Sequence, residues 1–244
     1  MNKVIDRGAT MVHLLRAGGF RVVFSEMRKW LYSNTTFLVL CRDLTLPFDA
    51  PPAKIPLTIR PLEDGDISNL FNVNALGITS EGFYYRANRL YLLKAGIGTC
   101  YVAVASDNTP CYMEWLFTSR DNEKIAVYFQ GLFAALAPDE AQLEGTFTIE
   151  EFRGQHVMPY AECQIAQVAK ECGIRRLISY VNVRNKPALK GAQRAGFAPY
   201  LLRTDEWRLF RRHCTSTPLP TGTPYPFDVE PSTEKNQREN LANR

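Results

Sequence analysis

Residues 152–164 read FRGQHVMPYAECQ, a charged, glycine-bearing turn that runs straight into a helix. The segment before it, QLEGTFTI (142–149), alternates as a strand does. The segment after it carries Ala161, Ile165, Val168, Ala169 and Cys172 in one helical stripe, which Gly173 can end in the left-handed conformation. A strand that turns directly into a helix leaves the first N–H groups of that helix unpaired. With the positive end of the helix dipole, those donors make a site for a pyrophosphate. Arg153 brings charge and Gly154 lets the backbone approach closely, while Pro159 fits a first helical turn, where its missing N–H is no loss.

Working outward, LISYVNV (177–183) is nearly all apolar, as a strand covered on both faces is. Asn185 can cap a helix with Pro187 in its first turn, and Gly196 closes it before strands near 197–203 and 207–211. Upstream, TCYVAVAS (99–106) and CYMEWLFT (111–118) flank the turn formers DNTP and form a hairpin. Residues 121–138 suit either state, and the reading leans to a strand breaking into a short helix. LTIRP (57–61) is a strand. Asp66 can cap a short helix carrying Ile67, Leu70 and Phe71, and a longer helix with Phe83, Ala87, Leu90 and Tyr91 on one face ends near Gly96. Before these lie an amphipathic helix over 20–31, a strand FLVLCRDL (37–44) and a proline-rich connector.

The sum is an α/β (α+β) fold, a mixed, mostly antiparallel sheet flanked by helices over residues 55–212. An N-terminal helix–strand extension (1–54) is expected to pack over the sheet as an extra layer or to serve a homodimer contact. A proline-rich polar tail (213–244) is expected to be mobile or strapped onto a neighbour.

The 45% hydrophobic content suffices for a sizeable core, and a net charge of +4 from scattered Lys and Arg leaves no nucleic-acid footprint. Six cysteines without a C-x-x-C pair read as reduced core residues, with no metal site. The apolar runs are too short and too interrupted for a membrane span or signal peptide, so a cytoplasmic protein is expected. No G-x-G-x-x-G follows a first strand, which weighs against a dinucleotide-binding fold.

Two motifs in this order resemble the GNAT superfamily of CoA-dependent N-acyltransferases. One is the turn beginning at Arg153; the other is Asn185, the helix KPALKGAQR and Ala195-Gly196-Phe197. The likeness spans roughly residues 57–211. It implies acetyl-CoA, or another acyl-CoA, with its pantetheine arm paired to QLEGTFTI and its pyrophosphate on the amides of residues 153–158, and direct attack by a small-molecule primary amine such as an amino sugar or amino acid. Thr148, Ile149, Arg153, Gly154, Gln155, His156, Val157, Met158 and Asn185 are the implied cofactor-binding residues. Family members place a base on or just before that strand, which leaves Glu144 and Glu140 as alternatives. His156 and Met158 stand where relatives prefer glycine or a small residue. Ala192 stands where many relatives carry the tyrosine that protonates the leaving thiolate, so Tyr160, Tyr180, Cys163 or water must serve, or the chain is a catalytically silent GNAT-like module that binds CoA or a partner protein.

Overall fold

The computed structural model describes Arg28 and residues 31–73 and 79–228. The expected helix over 20–31 lies almost wholly outside these residues, as do 229–244 of the tail. One eight-stranded sheet organises the rest. In chain order its elements are β1 (Tyr32–Asp43), β2 (Leu57–Pro61), α1 (Asp64–Leu70), α2 (Ser80–Ala95), β3 (Thr99–Ala105), β4 (Pro110–Thr118), α3 (Asn122–Phe129), β5 (Glu140–Thr148), α4 (Val157–Glu171), β6 (Arg176–Asn182), α5 (Lys186–Arg194), β7 (Ala198–Arg208) and β8 (Arg211–Pro218). The strands lie in the order β2-β3-β4-β5-β6-β1-β7-β8. Every pairing is antiparallel except β5 with β6.

Helices cover both faces. Leu38, Leu40, Leu143, Leu177, Ile165 and Leu189 form the core beneath α4 and α5. Val39, Leu70, Leu92, Met113, Trp115 and Phe117 form the core on the side of α1, α2 and α3. In β1 the successive residues Leu38, Val39 and Leu40 are all buried because their alternating side chains feed both cores.

That placement corrects the expectation of an extra layer. Residues 32–43 lie inside the sheet, between β6 and β7, and not over it.

Four further expectations change. The cap of α1 is Glu63; Asp66 sits three residues on, where its carboxylate accepts the Glu63 N–H at 2.9 Å and pairs with Arg60 at 2.7 Å. Residues 121–138 hold no strand. Asn122–Phe129 is helical because Ile125 and Phe129, four residues apart, both reach the core, and Gln130 and Gly131, at φ 50° and 70°, end it. The separate strands expected near 197–203 and 207–211 are one eleven-residue strand, β7, followed by β8. Lastly, the tail as far as Asp228 is strapped down: β8 runs to Pro218, Tyr225 is buried with its hydroxyl donating to the Phe197 carbonyl at 2.9 Å, and Gln193 holds Asp228 at 2.7 Å.

The β7–β8 turn explains why it escaped notice. Arg208 pairs with Arg211, so Leu209 and Phe210 alone form the loop, with φ 48° and 65°. Two-residue turns with both φ positive favour Asn-Gly, and large apolar residues there carry strain. Both side chains are mainly exposed, so little packing is lost by replacing them. The double variant Leu209→Asn, Phe210→Gly is expected to gain about 1 kcal/mol, read as a rise in Tm of roughly 2–4 °C.

Candidate active site

The parallel pair β5 and β6 is joined only from Glu140 to Leu143, against Arg176 to Ser179. Beyond that point the strands part. The cause lies in β5, where Gly145 and Thr146 together oppose the single residue Glu114 of β4, a β-bulge with Gly145 at φ 71°. A bulge bends its strand and leaves residues unpaired. Arg89 of α2 fixes it, donating to the carbonyls of Gly145 at 2.8 Å and Thr146 at 2.7 Å. The result is a fork whose β5 arm, residues 144–148, has no strand neighbour on the β6 side.

Gly145 is required twice over. A Cβ there would come within 2.9 Å of the buried Trp115 ring, and the positive φ is strained for any other residue. Gly145→Ala is expected to cost roughly 2 kcal/mol, checked by thermal melting.

At the open end of the fork lies the turn. Gly154 has φ 78° and His156 φ 58°, so the backbone takes left-handed conformations at two positions. The N–H groups of residues 154–156 find no acceptor among the described residues, and α4 begins at Val157 with its own first donors free. The Lys54 N–H donates to the Gln155 carbonyl at 2.9 Å and braces the turn from the proline-rich connector. His156 thus holds a glycine-like conformation, and its Nε2 meets Arg194 at 3.1 Å. Met158 does not crowd the turn. Its thioether packs on Gly191 of α5, where an added Cβ would lie 2.8 Å from the sulfur.

The expected residues divide into those the fork brings together and those it does not. Glu144 lies at the bulge, paired across from Trp115, with the Gln142 amide 3.5 Å from its carboxylate. Burial raises its pKa, opposed by the bulge's backbone and by Arg89. Glu140 is tied elsewhere: Arg176 binds one oxygen at 3.0 Å and the Ala137 N–H donates to the other at 3.1 Å. Arg153 is exposed, with its guanidinium on the Thr148 carbonyl at 3.2 Å and Glu150 at 2.8 Å. The Ile149 N–H is used by the Cys111 carbonyl at 2.9 Å. Asn185 caps α5 by accepting from the Ala188 N–H at 3.3 Å. Tyr160 is half-buried in the first turn of α4. Tyr180 faces Phe133, ring centroids 4.8 Å apart, and burial raises its pKa. Cys163 is buried under Arg42, whose Nη1 lies 3.3 Å from its sulfur.

Sequence reasoning missed Arg89, Arg194, and a buried acid group behind the bulge. Glu114 is fully buried, its oxygens accepting from Tyr112 at 2.7 Å and Thr146 at 2.5 Å. Burial pushes its pKa up to about 7 against the pull of those two hydroxyls. Glu162 of α4 is equally buried, and neither of its oxygens has a partner among the described residues. A lone acid in the apolar strand CYMEWLFT was the available signal for Glu114.

On the β1 side of β6, Asn34, Thr35, Thr36, Asn182, Val183 and Arg184 line a cavity of about 320 Å³. Among the described residues no group of three or more His, Cys, Asp or Glu could hold a metal ion, and no helix is long and apolar enough to cross a membrane.

The GCN5-related glucosamine N-acetyltransferase region of a fungal multi-domain β-N-acetylglucosaminidase superposes with a TM-score of 0.50 at 13% identity, covering 82% of this chain and 23% of that one. The chain has the GNAT fold. A GNAT-family acetyltransferase from Colwellia psychrerythraea is similar at 12% identity and TM-score 0.47, over 78% of this chain and 61% of that one. A GCN5-related N-acetyltransferase from Sphaerobacter thermophilus is similar at 16% identity and TM-score 0.45, over 76% and 56%. This chain therefore spans less than two thirds of each of these three. No family profile and no curated protein sequence matches it.

Proposed function

We propose that this chain is a CoA-dependent N-acyltransferase, most simply an acetyltransferase, acting on a primary amine of a small molecule. The observation that carries the reading is the fork itself: an unpaired β5 arm leading to free amides at the start of α4. In this reading the arm pairs with pantetheine and the amides of residues 154–158 take the pyrophosphate, with Arg153, Arg194 and His156 at hand for its charge. Glu144 receives the proton of the attacking amine. The acceptor in this reading is an amino sugar or amino acid. We place the protein in the cytoplasm, in keeping with its six unpaired cysteines.

The deciding experiment is calorimetric titration with CoA followed by release of free thiol from acetyl-CoA against a panel of amines that includes glucosamine. Binding together with amine-dependent release supports the enzyme. CoA binding with silence across the panel supports the second reading, a CoA-binding module without turnover, which the fully buried Ala192 favours. Absence of CoA binding overturns both.

A further inference from the structure

We propose that the β7–β8 turn is a membrane-docking tip: Leu209 and Phe210 enter the headgroup layer of an anionic lipid surface while the arginines behind them meet its phosphates. This does not depend on the acyltransferase reading above.

The starting point is a conflict between residue type and conformation. Leu209 and Phe210 alone close the hairpin, at φ 48° and 65°, where side chains of their size are strained. Packing could offset such strain, but Leu209 is 77% exposed and Phe210 56% exposed. Asn-Gly would suit the fold better. Residues that cost the folded state stability and return little contact point to a use outside the fold.

The two do not stand alone. The Leu209 N–H donates to the Leu31 carbonyl at 2.9 Å, which brings the start of β1 to the same corner. Leu31 and Tyr32 are themselves 43% and 70% exposed. Four large apolar side chains open to solvent thus gather at one end of the sheet.

Charge selects the partner. Tyr32, Arg208 and Arg211 stand in register across β1, β7 and β8. The Arg208 guanidinium lies over the Tyr32 ring, 4.2 Å from its centre, and the Arg211 side chain makes no polar contact among the described residues. Arg28, shortly before Leu31, is exposed. The two acids of the hairpin are already held. Asp205 binds Arg203 at 3.0 Å and Arg212 at 2.6 Å; Glu206 lies 3.7 Å from Arg208 and accepts from Asn34 at 3.2 Å. Residues 203–213 contain four arginines against those two acids, so the corner is basic.

Shape argues against a second copy of the chain as the occupant. A two-residue turn is a point, and four side chains fall far short of the roughly 20–30 residues a side of a stable protein interface. A lipid surface asks less. Apolar side chains at the headgroup boundary and cations over anionic lipid add up to reversible binding. Arginine suits the second part, because its stem lies along apolar surface while its guanidinium pairs with phosphate.

The test is cosedimentation of the full chain with vesicles of phosphatidylcholine, alone or mixed with phosphatidylserine. Binding to the mixed vesicles is expected, weaker on the neutral ones and falling as salt is raised. Leu209→Asn with Phe210→Gly is expected to weaken it about tenfold or more, and Arg211→Gln about fivefold. The double variant is the one expected to melt above the unaltered protein, so its loss of binding is not a loss of folding. Failure to sediment with mixed vesicles overturns the proposal, as does binding that ignores the anionic lipid or survives the double variant. Sedimentation velocity supplies the remaining outcome: a dimer that the double variant dissolves, without vesicle binding, assigns the tip to a second copy and overturns the lipid surface. Neither CoA nor an amine enters these measurements, so their failure is distinct from failure of the acyltransferase reading.

Discussion

Glu144→Gln is expected to lower acyl transfer from acetyl-CoA by about 10²–10⁴-fold, while the affinity for CoA stays as it was. Glutamine keeps the shape and the contact with Gln142 but cannot accept the amine's proton. Burial raises the Glu144 pKa, so this carboxylate is a stronger base than one in water. A base works only when ionised. Turnover should therefore climb as pH rises through that raised pKa, and Glu144→Gln should lose the climb as well as the rate. Steady-state kinetics across pH, with CoA binding measured in parallel, checks both. A variant that keeps the rate and the same acid limb would assign the proton to another group.

The second large effect concerns stability. Glu114 and Glu162 both have folded-state pKa values above the ordinary glutamate value, because burial penalises their charged forms. Above pH 4.5 the unfolded chain has released these protons while the folded chain still binds them, so stability falls as pH rises. The window runs from 4.5 to about 7 for Glu114 and continues higher for Glu162. For Glu114 alone the loss is on the order of 3 kcal/mol. At this chain length that corresponds to a fall in Tm of roughly 6–12 °C between about pH 5 and pH 8. Glu162→Gln, neutral at every pH, is expected to flatten this dependence and to be more stable than the unaltered protein at the alkaline end. Thermal melts at two pH values suffice; a Tm that rises with pH in the unaltered protein would count against the buried acids.

Much of the sheet and its covering helices could be read from residues whose preferences are local. Gly96, Gly173 and Gly196 close α2, α4 and α5 with φ 60°, 86° and 82°, as glycines past a helix end do. LTIRP is a strand over the residues expected. What escaped was decided at a distance. The strand beginning at Tyr32 looked like an appendage because nothing in FLVLCRDL names β6 and β7 as its neighbours. The Leu209–Phe210 turn was disguised by residues that do not ordinarily take positive φ.

In the candidate site, Glu144 and the turn were legible because strand alternation and the glycine announce them. Glu162 was not, since an acid inside AECQIA looks like the solvated side of a helix until the fold buries it without a partner among the described residues. The partner of Glu140 was hidden for a similar reason: only the fold brings Arg176 beside it.

The central place of β1 also governs how the chain can be assembled. Phe37 meets Asn182 and Arg203, partners made only after most of the chain has left the ribosome. Until then the run Phe37–Cys41 has no mate, and an unpaired apolar strand is open to association with other chains. Its docking must come among the last events, closing the gap between β6 and β7, so chaperone demand during synthesis should fall when substitutions soften this one segment.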